Sequence, residues 1–177
     1  MSDEAYTDSR YPLSSLTSRV IAAAYEVHHT LGPGFEEVVY QRALAKELPA
    51  HGLEYDREVW IDVVYKGETV GRKRVDFVIG DETGDVMVEI KAKPRLEGVE
   101  VVQALPYLKA SGYRVGLLLS YGSKRVEIKR LASQPVSQCN HLFSGSVIRK
   151  SRERRKNHSP QNATEADYAE DRNLAGD

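Results

Sequence analysis

Near the start of the chain, Leu13, Leu16, Val20, Ala23, Ala24, Val27 and Leu31 return every three or four positions and so line one side of a helix. Ser14 or Ser15 is placed to cap it, and Gly32-Pro33-Gly34 to stop it. A second helix is expected from Glu36 to His51, with Tyr40, Ala43, Leu44 and Leu48 as its apolar stripe and Gly52 at its end. The period then changes. Glu58 to Tyr65 reads as a strand ending at Lys66-Gly67, and two more strands follow, Val75-Asp76-Phe77-Val78-Ile79 and Val86-Met87-Val88-Glu89-Ile90-Lys91. Helical spacing returns from Gly98 to Ser111. After Gly112, the continuous apolar run Val115-Gly116-Leu117-Leu118-Leu119 reads as a strand covered on both faces. Val126 and Ile128 suggest one more edge strand.

This order predicts an α/β fold, a mixed sheet flanked by helices, in which three strands form an antiparallel meander and a helical crossover leads to the last central strand. Beyond Leu131 the periodicity fades, and from Ser144 the chain is polar and highly charged. One domain is therefore expected over residues 13–131, with disordered segments at 1–12 and 132–177, whose composition buries too little apolar surface to offset its ordering entropy.

Charges interrupt the strands. Alternation puts Val75, Phe77 and Ile79 on one face, with Val86, Val88 and Ile90 likewise, and leaves Asp76, Glu89 and Lys91 on the other. A turn over Gly80 to Asp85 that brings Ile79 to Val86 would set Asp76 directly opposite Glu89, at roughly 5 Å between Cβ atoms. Facing carboxylates repel, the more so when buried, unless they share a proton or bind a cation. A divalent ion is the economical solution. A solvated sheet face, with Glu89 and Lys91 as neighbours, is the plainer alternative from spacing alone.

Composition narrows the classes. The chain has 177 residues, 41% of them hydrophobic, enough for one core. With 25 Lys plus Arg against 26 Asp plus Glu, nothing in the net charge of −1 calls for a nucleic-acid or membrane partner, so any basic footprint must be local. One cysteine, Cys139, excludes an internal disulfide framework or a four-cysteine zinc site. The opening residues lack the basic and apolar regions of a signal peptide, and no apolar run approaches a membrane span. The expectation is a cytoplasmic protein with no membrane partner.

Asp76, Glu89 and Lys91 form the pattern D, twelve residues, E-x-K, which resembles the active-site motif of the PD-(D/E)XK nuclease superfamily. A longer stretch resembles the GxxExxY family assigned to it: Glu26-Val27-His28, then Leu31 to Tyr40, then Ala43-Leu44 and Glu47-Leu48, with Gly34, Glu37 and Tyr40 at the named positions. The resemblance runs from about Leu16 to Leu131. It implies a restriction-endonuclease-like core, with Asp76, Glu89 and Glu37 as metal-binding carboxylates and Lys91 as the catalytic lysine. Periodicity alone does not separate Glu37 from Glu36, which falls in the same arc of the helix. Only the resemblance selects Glu37.

Gln103 and Tyr107, four apart on the third helix, resemble the Q-x-x-x-Y motif of RecB-like nucleases, which implies Gln103 at the catalytic site and Tyr107 beside the substrate. Pro106 lies between them and is expected to kink the helix. Tyr40, Lys93 and Arg74 complete the expected substrate contacts. Arg72, Lys73 and Arg74 precede Asp76, and Lys91, Lys93 and Arg95 are expected to alternate on the face of Glu89, as a guide for phosphate or as plain charge compensation. The basic run from Arg149 to Lys156 offers further nonspecific affinity or is simply solvated. His28 is weighed as an extra metal ligand. Ser120-Tyr121-Gly122 stands where that family has Asn-Phe-Gly.

The resemblance implies a nuclease dependent on Mg²⁺ or Mn²⁺ that acts on nucleic acid, DNA ahead of RNA; many members of the superfamily pair to cut two strands, and the sequence leaves a homodimer open without setting the oligomeric state. The competing expectation is a nuclease-like module that binds nucleic acid or a protein without turnover. A sugar hydrolase fits less well, because opposed carboxylates with a neighbouring lysine suit a cation better than the wider spacing of glycosidase acids.

Overall fold

The structure is a computed structural model, and it describes residues 11–133. The expected disorder at 1–12 and 132–177 falls almost wholly outside the described residues, as does the basic run from Arg149 to Lys156. Within them the fold is α/β: helices α1 (Ser14–Leu31), α2 (Glu37–Glu47) and α3 (Gly98–Ser111), and strands β1 (Glu54–Tyr65), β2 (Glu68–Asp81), β3 (Gly84–Lys91), β4 (Val115–Ser120) and β5 (Glu127–Ala132). The strands form a single five-stranded sheet in chain order. Only β3 and β4 are parallel, and α3 is the crossover between them. Among the described residues no helix is long and apolar enough to cross a membrane.

The sheet separates two apolar clusters. On one side Leu16, Val20, Tyr40 and Leu44 of α1 and α2 pack on Phe77, Ile79, Val86, Val88 and Ile90. On the other, Ala104 and Leu108 of α3 pack on Ile61, Val78, Met87 and Leu118. The strict alternation of β3 and β4 between these clusters follows from the two-residue repeat of a strand. That is why their sequences read as unbroken apolar runs.

Several expectations are corrected. Neither Ser14 nor Ser15 caps α1; Leu13 holds the N-cap position with φ 58°, and the first turn is bonded instead by Thr17, whose hydroxyl donates to the Leu13 carbonyl. The second helix stops at Glu47, and a 3₁₀ turn, Leu48–His51, carries on to Gly52 because Pro49 has no N–H to continue the α-helical ladder. α3 runs on through Pro106, which lies on the exposed side, where water can satisfy the carbonyl it leaves free. β1 and β2 are longer than their apolar cores suggest. Their outer halves, from Val59 to Tyr65 and from Glu68 to Val75, pair with each other and not with β3, forming a two-stranded ribbon that extends past it.

Val75 is a further correction. It packs with Ile61 and Val78 against α3, not with Phe77 and Ile79. The cause lies one residue on. The β1–β2 ladder passes from Val59–Val75 to Arg57–Phe77 without a Glu58–Asp76 pair, and Glu58 has φ 53°. Alternation slips at this point, and Asp76 sits in the slip.

Candidate active site

The hairpin from β2 to β3 has the register anticipated from the sequence, with Ile79 opposite Val86 and a turn of two residues, Glu82 and Thr83. The ladder stops at Phe77–Val88, one pair short of Asp76 and Glu89. The two acids hold the next position in that register, but as an opened pair rather than directly bonded strand neighbours. A side chain takes over the lost backbone contact: Asp76 Oδ2 accepts the Ile90 N–H at 2.7 Å. Asp76 Oδ1 accepts from Gln41 Nε2 of α2 at 3.0 Å. Both donors fix the orientation of the carboxylate.

Glu89 is the buried member of the site, its side chain 8% exposed. Lys73 Nζ lies 3.8 Å from its Oε1 and Lys91 Nζ 3.8 Å from its Oε2. Burial pushes the carboxyl up to about 7, with a further push from Asp76 and a smaller one from Glu37; the two lysines pull the other way and do not offset it. Lys91 donates to the Ile90 carbonyl at 2.9 Å and stands 3.7 Å from Glu37 Oε1. Glu37 is the first residue of α2, and its Oε2 accepts the Ala92 N–H at 3.3 Å. Glu36, which precedes it at the N-cap, is exposed. The helix start thus aims Glu37 at the end of β3.

A clamp from β4 holds that end. Tyr121 N–H donates to the Lys91 carbonyl at 2.9 Å, and Ser120 Oγ donates to the Lys93 carbonyl at 2.5 Å. A Cβ on Gly122 would lie 2.3 Å from the Lys93 carbonyl carbon, so only glycine lets the two segments approach. Ser120-Tyr121-Gly122 therefore shapes the backbone under Lys91.

The structure brings together Asp76, Glu89, Glu37 and Lys91, and it gives the other expected site residues other surroundings. Tyr40 is fully buried; its hydroxyl donates to the Gly32 carbonyl at 2.8 Å and accepts the Phe35 N–H at 3.2 Å, and its ring stacks on Tyr121 at 4.5 Å. It ties the α1–α2 turn to the core and cannot meet a substrate. His28 Nε2, weighed as an extra metal ligand, is engaged with the Ser123 carbonyl at 2.8 Å. Gln103 is exposed and Tyr107 half-buried on α3; among the described residues neither bonds to an acid of the site. Lys93 is ion-paired with Glu100, whose carboxylate also accepts the Glu97 N–H in the α3 capping box. β3 ends at Lys91, so Lys93 and Arg95 do not continue its alternation. Arg74 is exposed and lies 3.5 Å from Glu58.

Two members escaped the sequence reading. Gln41 is four residues after Glu37 and so on the same helix face, a signal that was present. Lys73 belonged to a visible basic run, but strict alternation placed it away from Asp76, and only the slip there brings it to Glu89.

The oxygen donors of Asp76, Glu89 and Glu37 are the hard ligands that Mg²⁺ and Mn²⁺ accept, and the mutual crowding that lifts Glu89 is what a divalent charge relieves. Among the described residues, however, no three acidic, histidine or cysteine side chains already converge as a closed metal cage. Asp76 spends its oxygens on N–H donors, and lysines face Glu89. The chemistry of the donor set fits a cation; its closing requires these carboxylates to turn from their present partners.

No curated protein and no solved structure matches the chain. Residues 14–131, more than half of it, match the sequence model of the PD-(D/E)XK nuclease superfamily, and with Asp76, Glu89 and Lys91 assembled at one strand end the chain belongs to that superfamily.

Proposed function

We propose that the protein is a divalent-metal-dependent nuclease that hydrolyses phosphodiester bonds of nucleic acid, DNA ahead of RNA. The observation that carries this reading is the position of Lys91, 3.8 Å from Glu89 and 3.7 Å from Glu37 at the open end of the ladder where Asp76 is fixed. Asp76, Glu89 and Glu37 would hold Mg²⁺ or Mn²⁺, which supplies positive charge for a phosphate oxygen and for the attacking water. Lys91 orients that water or meets charge developing on the phosphate. Gln41 and the Ile90 amide keep Asp76 aimed, and Lys73 keeps Glu89 ionisable when substrate enters. The restriction-endonuclease-like core supports DNA as the first substrate to test, and the positions of Gly34, Glu37 and Tyr40 support a place among the GxxExxY proteins.

A panel of labelled single-stranded and double-stranded DNA and RNA, incubated with Mg²⁺, Mn²⁺ or EDTA, tests the reading. Cleavage of at least one substrate with metal and of none with EDTA is expected. Absence of cleavage under every condition sinks it.

The absence of a ready three-ligand cage among the described residues favours, as second reading, a module that binds without turnover. Calorimetric titration with Mn²⁺ separates the two. The nuclease reading expects binding that Asp76→Asn weakens at least tenfold, whereas the module shows no binding that depends on Asp76.

A further inference from the structure

We propose that the outer ribbon of β1 and β2 binds an unpaired nucleic-acid strand, with the Trp60 ring stacking on a base and Arg72 and Arg74 holding the flanking phosphates. This rests on the nuclease reading and adds to it the class of substrate and the element that receives it.

Folding does not account for Trp60. Its neighbour Ile61 is fully buried against α3, so Trp60 points to the opposite face of the ribbon and remains 56% exposed. Antiparallel partners share a face, and the partners on this face are Arg74 opposite Trp60 and Arg72 opposite Asp62. An exposed indole is thereby flanked by two guanidinium groups. Their present ion pairs, Arg72 with Asp62 at 2.7 Å and Arg74 with Glu58 at 3.5 Å, lie in solvent, where such pairs hold weakly and exchange readily for phosphate. Between positions 57 and 74 basic residues outnumber acidic ones, although the whole chain carries a net charge of −1. The charge of the ribbon is thus complementary to a phosphate backbone.

Position favours substrate over any other occupant. Arg74 is two residues from Asp76, about 7 Å along the strand, so a chain seated on Trp60 runs toward Asp76 and its α2 neighbours Gln41 and Glu37, while Glu89 lies beside Lys73 on the face that Met87 and Ile61 share. The face is the one turned away from α3, on the side of the sheet that carries Glu37 and Gln41. An unpaired strand is indicated because a base in a duplex already has both faces stacked, whereas a free base offers its ring to an aromatic side chain.

Trp60 is the only tryptophan of the chain, so its fluorescence reports this surface alone. The full-length protein in EDTA is titrated with twelve-nucleotide unpaired DNA and RNA oligomers and with a blunt DNA duplex. Saturable quenching by an unpaired oligomer, and little by the duplex, is expected. In anisotropy titrations of a labelled oligomer, Trp60→Phe should bind nearly as wild type, Trp60→Leu on the order of tenfold more weakly, and Arg72→Ala/Arg74→Ala with a shallower salt dependence. Should Trp60→Leu fail to fold, the wild-type quench and the Trp60→Phe titration decide. Quenching by the duplex alone, no quenching by any oligomer, unchanged binding in folded Trp60→Leu, or quenching that follows protein concentration without nucleic acid would each overturn the proposal, the last in favour of a second copy. Failure of the nuclease reading looks different. Unpaired strands would then quench Trp60 as expected, yet remain uncut when Mg²⁺ or Mn²⁺ is added.

Discussion

Glu89 pays an electrostatic cost for its place under Lys73 and Lys91, and that cost depends on pH. Its carboxyl is raised from 4.5 to about 7, chiefly by burial, so the folded protein holds this proton more tightly than the unfolded chain does. Stability from this group is therefore fully present below about pH 4.5 and lost as pH rises through about 7. In EDTA, Glu89→Gln should be the more stable protein at pH 8, by up to about 3 kcal/mol, with the difference vanishing below pH 5. Urea melts at several pH values measure it, and equal stability of the two proteins at pH 8 would contradict the burial argument. Tyr40 gives a contrasting case. Tyr40→Phe removes both hydroxyl bonds of a buried group and should cost about 1–2 kcal/mol in thermal or urea melts. Cleavage per folded molecule should persist, because Tyr40 touches no substrate; a large loss of activity at unchanged stability would return it to the site. Among residues, Asp76, Glu89 and Lys91 were legible because charge in an apolar strand is conspicuous. Glu37 was legible only by resemblance, because its neighbour shares its helical arc. Lys73 was hidden by a slip in alternation that no residue pattern announces.

At the scale of elements, the end of β3 is held from three directions: Asp76 on the Ile90 amide, Glu37 on the Ala92 amide, and Tyr121 with Ser120 on the Lys91 and Lys93 carbonyls. Gly122 permits the last of these. Gly122→Ala puts a methyl group into the Lys93 backbone, which cannot swing aside as a side chain would, and should destabilise by about 1–3 kcal/mol. Because the displaced segment carries Lys91, activity should fall more than the folded fraction does. Melting curves and cleavage rates on the same sample check both, and full activity at wild-type stability would show the approach to be slack. The sequence disclosed α3 and β4 almost to the residue, since an apolar stripe between Gly98 and Gly112 and an unbroken apolar run leave few options. It hid the outer ribbon. From Glu68 to Arg74 β2 is largely polar and exposed on both faces, so it carries no burial alternation to read, and its pairing is set by β1 and the Lys66-Gly67 turn.

For the whole molecule, helices on both faces bury the sheet while the hairpin of β1 and β2 runs past β3, so the acids lie where the ladder opens beside a ribbon that α3 covers on one face only. Sequence order alone predicted this layering, because a helix between two buried strands makes a parallel crossover. The opening at Asp76 was not predictable from it; it coincides with a left-handed residue, Glu58, at the facing position of the neighbouring strand. The central claim is that this opening is a metal-dependent hydrolytic site, and rates test it most directly. On whichever nucleic acid wild type cuts with Mg²⁺ or Mn²⁺, single-turnover cleavage should be compared for wild type, Asp76→Asn and Lys91→Ala, each confirmed as folded. The account predicts a loss of about 100-fold or more in both variants, with no residual metal dependence in Asp76→Asn. Cleavage by both variants at the wild-type rate would contradict it and place the chemistry elsewhere in the chain.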